Sequence, residues 1–94
     1  DLVADSRLLD PSGIANTIEF TVPGASSRTY IGDNQSKALL VCGRFEKRFV
    51  AQRDYAAATM PNLSITNVDS GHAVNMQTAP EFNKAVSSFI KACL

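Results

Sequence analysis

The pattern of apolar and polar positions sharpens at residue 37. From there each run specifies one kind of element. Ala38-Leu39-Leu40-Val41-Cys42 is continuously apolar and is closed by Gly43. Such a run fits a strand covered on both faces, as in a parallel sheet. The loop Gly43-Arg44-Phe45-Glu46-Lys47-Arg48 follows. Residues 49–59 read as a helix, with Ala51, Tyr55 and Ala58 at helical spacing and Met60-Pro61-Asn62 as its stop. Leu63-Ser64-Ile65-Thr66-Asn67-Val68 reads as a second strand. Strand, helix and strand in this order predict a parallel pair with a right-handed crossover.

The last segment is the most regular. Phe82, Ala85, Val86, Phe89, Ile90 and Cys93 mark one side of a helix, and Asn83, Lys84, Ser87, Ser88 and Lys91 fill the other. Thr78 and Glu81 have the spacing of a capping box, with Pro80 in the first turn. Residues 1–36 carry less pattern. Leu2, Val3, Leu8 and Leu9 suit a short helix. Asp10 is able to cap and Pro11 to open a second one, with Ile14 and Ile18 on one side. Pro23-Gly24 breaks it, and residues 25–36 are polar with a turn at Gly32-Asp33-Asn34. The expectation is therefore α/β: a weakly specified helical and loop segment over 1–36, then a strand–helix–strand–helix segment over 37–94.

Composition narrows the function classes. Nine basic and nine acidic residues balance, so there is no electrostatic case for nucleic acid or an anionic membrane as partner. No apolar run approaches the roughly 20 residues of a membrane span. Cys42 and Cys93 read as small buried hydrophobes. Two cysteines without a secretory signal favour free thiols and a cytoplasmic setting over a disulfide. One histidine and two distant cysteines do not build a standard zinc site, and no metal or cofactor is expected.

The candidate chemistry sits in Asp69-Ser70-Gly71-His72-Ala73-Val74, which holds the only histidine. Glycine lets the backbone turn sharply there. Imidazole is the side chain best suited to proton transfer near neutral pH. In a parallel pair both strands end on one edge of the sheet, so the loops carrying Glu46 and His72 emerge side by side. That edge is where open α/β sheets place their sites. A carboxylate facing the ring fixes its tautomer and stabilises the imidazolium as it forms. Asp69 is the alternative acid. Lys47 and Arg48 beside Glu46 also fit a plain solvated loop. Ser26, Ser27 and Ser70 are minor candidates for a nucleophile, and a local backbone hydrogen bond explains Ser70 more simply. Arg28 and Tyr30 are candidate contacts for a substrate carboxylate, and a polar loop explains them as well.

The run Leu39 to Val50 resembles the acid-bearing strand and loop of the α/β-hydrolases: an apolar strand, a glycine, two residues, an acid, then a phenylalanine. Met60-Pro61-Asn62, Ser70-Gly71-His72-Ala73-Val74 and the helix from Pro80-Glu81 to Phe89-Ile90 resemble that family's later landmarks. The resemblance spans residues 37–94. Asp10-Pro11-Ser12-Gly13-Ile14-Ala15 and His72-Ala73-Val74 are similar to the menaquinone-pathway lyase and carbon–carbon bond hydrolase subgroup. The resemblance implies a doubly wound parallel sheet, with Glu46 as triad acid and His72 as base. It also implies an ester, or a carbon–carbon bond beside a ketone, as the small-molecule substrate. The nucleophile elbow G-x-S-x-G that should precede both residues is absent. Gly24-Ala25-Ser26-Ser27-Arg28 lacks the second glycine and follows no convincing strand. The expectation is the acid–histidine part of a larger hydrolase, with the serine on an upstream segment or companion chain, or with self-association covering the open sheet edge. A truncated, non-catalytic relic serving binding or assembly is the alternative.

Overall fold

The computed structural model describes residues 1–94. It contains a parallel two-stranded sheet with helices before, between and after the strands. Strand β1 (Ala38–Gly43) pairs with β2 (Leu63–Val68) in the register Ala38↔Leu63 through Gly43↔Val68. The connection runs through helix α3 (Val50–Thr59). A strand pair that must point the same way needs such a crossover, and the ten residues of α3 supply it. The chain is thus mixed α/β, with the strand–helix–strand order its hydrophobic runs predict.

The other helices are α1 (Leu2–Ser6), α2 (Pro11–Asn16), α4 (Val74–Gln77) and α5 (Ala79–Cys93). Asp1 caps α1 and Asp10 caps α2, each accepting a backbone N–H two residues on, and Pro11 opens α2. The second helix does not stop at Asn16. It continues as a wider π turn over Thr17–Thr21 and a 3-10 turn over Val22–Gly24. The Thr17 hydroxyl donates to the Gly13 carbonyl inside this run, a contact that competes with regular helical bonding. Pro23, which has no N–H, lies in the closing turn.

Two local readings are corrected. The capping box is not formed: Thr78 precedes α5, but its hydroxyl donates back to the Val74 carbonyl at 2.9 Å and caps nothing. Helix α4 ends immediately before it, and the Val74 carbonyl takes both the Thr78 N–H, at 3.1 Å, and its hydroxyl, which closes that last turn. On α3 the covered positions are Val50, Arg53, Tyr55, Ala56 and Thr59, while Ala51 and Ala58 face solvent. Tyr55 is held by its own contacts. Its hydroxyl donates to the Arg28 carbonyl at 3.2 Å, and the Arg28 guanidinium lies 3.9 Å from its ring centroid. A second 3-10 turn, Ile31–Asp33, packs beside this helix, with Gly32 against Thr59. Residues 28–33 are thereby tied to α3.

The interior is slight. Only Gly43, Val68 and Ser70 are buried. The apolar run of β1 is half-buried, not covered on both faces, and one edge of the strand has no neighbour. Helix α5 packs on both strands through Phe82, Ala85, Val86 and Phe89, and leaves Ile90 and Cys93 exposed. Leu2, Leu8, Leu9, Ile18, Phe20 and Val22 are exposed as well. The radius of gyration is 16.2 Å. A closed domain of this length has about 12 Å.

Gly43 is the tightest point of the fold. A Cβ built there runs into the Gly71 and Ser70 carbonyl oxygens. Backbone cannot yield as a flexible side chain does, so Gly43→Ala is predicted to cost roughly 1–3 kcal/mol, the usual range for overpacking. Gly24 has open space around it, and Gly24→Ala is predicted to stay within about 0.5 kcal/mol. Chemical denaturation of the two variants side by side checks both; equal stabilities would refute the close approach.

Candidate functional site

The site forms where the two strands end. Beyond the last ladder pair, the Arg44 N–H donates to the Val68 carbonyl at 2.7 Å, and the Phe45 N–H to the Ser70 carbonyl at 3.0 Å. These bonds extend the sheet past its formal end and stitch the first loop to the second. The glycine at 43 permits it, since any side chain would hold the loops apart. The next residues in register, Arg44 and Asp69, form an ion pair with Nε to Oδ1 at 2.9 Å. The second loop is braced from its other side: the Gly71 N–H donates to Gln77 Oε1, on α4, at 2.7 Å.

Stitched this way, the loops bring Glu46 to His72. Glu46 Oε2 lies 3.3 Å from His72 Nδ1, and Oε1 accepts the Arg48 N–H at 2.8 Å. The carboxylate is well covered, with 18% of its side chain exposed, and the imidazole is open at 73%. The Phe49 ring stacks on the imidazole, with centroids 5.2 Å apart and planes 30° from parallel. A contact with so exposed a partner adds little to stability, so it orients the ring without anchoring the fold. The carboxylate at Nδ1 favours the tautomer with the proton on that nitrogen. Nε2 then carries the lone pair, and no protein group bonds to it.

The other candidates fall elsewhere. Asp69 is committed to Arg44, so of the two acids considered it is Glu46 that meets the histidine. The Ser70 hydroxyl is buried and donates to the Gly71 carbonyl at 3.1 Å. Ser26 Oγ accepts the Arg28 N–H and closes a local turn. Neither serine bonds to His72. Arg28 is engaged with Tyr55, and Tyr30 is exposed.

Glu46, Phe49 and His72 stand at one end of a cleft of about 380 Å³ between β1 and α3. Its walls are mainly apolar, with Leu40, Val41, Val50 and Ala56 among them. Cys42 lines it too, and burial pushes its thiol above the ordinary cysteine range against the opposing pull of Arg53. A thiol held protonated is a poor nucleophile. Cys93 is exposed near the end of α5, and both cysteines are free. No three His, Cys, Asp or Glu side chains converge as metal ligands would.

Two features of the site were not read from the sequence. The Arg44–Asp69 pair had a signal: extending the strand register by one residue sets opposite charges face to face. The stacking of Phe49 had none, because ring geometry depends on how the loop enters α3. Two outcomes follow. Glu46→Gln shifts the His72 ring signals in a proton NMR spectrum, whereas Asp69→Asn leaves them in place; the reverse pattern would reassign the acid. Iodoacetamide at neutral pH alkylates Cys93 before Cys42, as peptide mass spectrometry reads directly.

Comparison with protein-family models, with curated proteins and with solved structures finds no match to this chain.

Proposed function

We propose that this chain is the acid–histidine part of an α/β-hydrolase-type enzyme. The observation that carries the reading is the Glu46–His72 pair at the carboxyl edge of two parallel strands. A carboxylate at Nδ1 orients the imidazole and stabilises the imidazolium that forms when Nε2 takes up a proton, which is the part a triad acid plays beside a general base. A serine supplied from outside these residues gives its proton to Nε2 and attacks the substrate carbonyl. His72 then returns that proton to the leaving group and activates water for the second half of the reaction. The substrate class is an ester, or a carbon–carbon bond beside a ketone. In a lyase variant the same base abstracts a proton from the substrate.

The complete fold would be a doubly wound parallel sheet, of which β1 and β2 form one end. Two observations support a missing neighbour. The outer edge of β1 presents unpaired backbone groups beside an apolar cleft. The apolar run of that strand is only half-covered. The segment carrying the serine is the proposed occupant, its strand continuing the sheet from β1. One observation favours the non-catalytic alternative: neither Ser26 nor Ser70 hydrogen-bonds to His72.

Native mass spectrometry combined with a fluorophosphonate probe discriminates these readings. A companion chain that takes the label supports the enzyme. A folded monomer with no companion and no label supports the relic and defeats the proposal. In the assembled protein, His72→Ala is predicted to lower kcat by about 10⁴-fold, as loss of a triad member does. Turnover within a few-fold of the parent would remove His72 from the chemistry.

A further inference from the structure

We infer that Phe49 is the positioning residue of the dyad: its ring and the Glu46 carboxylate together hold the His72 imidazole in one orientation. The use of that orientation in catalysis rests on the reading of His72 as a base.

A carboxylate at Nδ1 constrains one point on the imidazole edge. The ring stays free to swing about that contact, and with most of its surface in water nothing in a core restrains it. A stacked aromatic ring adds the missing constraint, because it fixes the plane. The centroid distance of 5.2 Å and the 30° between planes lie within the range of attractive ring pairs. Edge and face are held by one loop. Glu46 and Phe49 are three residues apart. Between them the Arg48 N–H closes a turn onto Glu46 Oε1, and the Glu46 N–H donates to the Gly43 carbonyl at 3.1 Å. The Phe49 carbonyl accepts the Arg53 N–H at 2.9 Å, which ties the residue to the first turn of α3.

The position itself argues for a role. Phe49 stands at the N-cap of α3, where Ser, Thr, Asp or Asn would satisfy a free N–H, and it makes no such bond. Phe49 is 48% exposed and lines the cleft beside Val50, so burial accounts for only part of its placement. A residue that gives up a cap and leaves half its ring in water is placed for what the ring touches, and it touches His72. The stack sets the direction of the Nε2 lone pair, on which proton transfer depends.

The test is NMR on the labelled chain, in which the sole histidine makes ring assignment unambiguous. In the parent, the His72 Hδ2 and Hε1 signals are displaced by the ring current of Phe49 and show cross-relaxation to its ring. Phe49→Leu moves them to random-coil positions and abolishes the cross-peak, whereas Phe49→Tyr preserves both. Amide signals outside the two loops stay in place in both variants. Phe49→Met, flexible and ringless, replaces Phe49→Leu if that variant loses its amide dispersion. Random-coil His72 signals in the parent, or signals unmoved by ring removal, overturn the inference. In the assembled protein, Phe49→Leu lowers kcat on the order of 10- to 100-fold with KM little changed, and Phe49→Tyr restores it. Correct NMR behaviour in an assembly whose turnover is indifferent to His72→Ala would defeat the catalytic reading and leave the positioning role standing.

Discussion

The close approach of Gly43 to Gly71 is the constraint on which the rest of the site depends. Two strand ends converge there without a side chain between them. The backbone bonds from Arg44 and Phe45 follow from that convergence, and the Arg44–Asp69 pair continues it outward. Each contact alone is modest in energy, since exposed pairs and single hydrogen bonds contribute about 1 kcal/mol. Their effect is geometric. The backbone bonds remove the slack between loops that would otherwise move independently, and the last of them, from Phe45 to Ser70, lies one residue before the acid and two before the histidine.

Much of this was legible in the sequence because it follows from periodicity. The stripe of α5 has the period of a helix, and the runs at 38–42 and 63–68 have the length of strands and end at turn-forming residues. From the strand order came the parallel pairing, and from the pairing the meeting of Glu46 with His72. What escaped the sequence was decided by competition between neighbours. The Thr78 hydroxyl donates back to the carbonyl of Val74, the first residue of α4, and accepts no N–H from the first turn of α5. The covered face of α3 is chosen by the 28–33 segment and the sheet together, not by the helix pattern alone. The wide turn at Thr17–Thr21 arises in a run that reads as ordinary helix.

The half-covered state of β1 has a similar origin. A continuous apolar strand announces neighbours on each side, and the pattern cannot say whether those neighbours belong to the same stretch of chain. Here one side is β2 and the other is open. The helical run from Pro11 to Gly24 likewise presents Ile14, Ile18 and Phe20 to solvent, and it packs chiefly on itself. Both surfaces stay partly open to solvent.

The parallel register carries one further consequence. Glu46 and His72 lie on opposite sides of the α3 crossover, so no local turn can bring them together. Their encounter and the zippering of the last ladder rungs are the same event. Fraying of the sheet at its carboxyl end would dissolve the dyad while α5 kept its turns and most of its packing. The Glu46–His72 contact is therefore a property of the last few rungs.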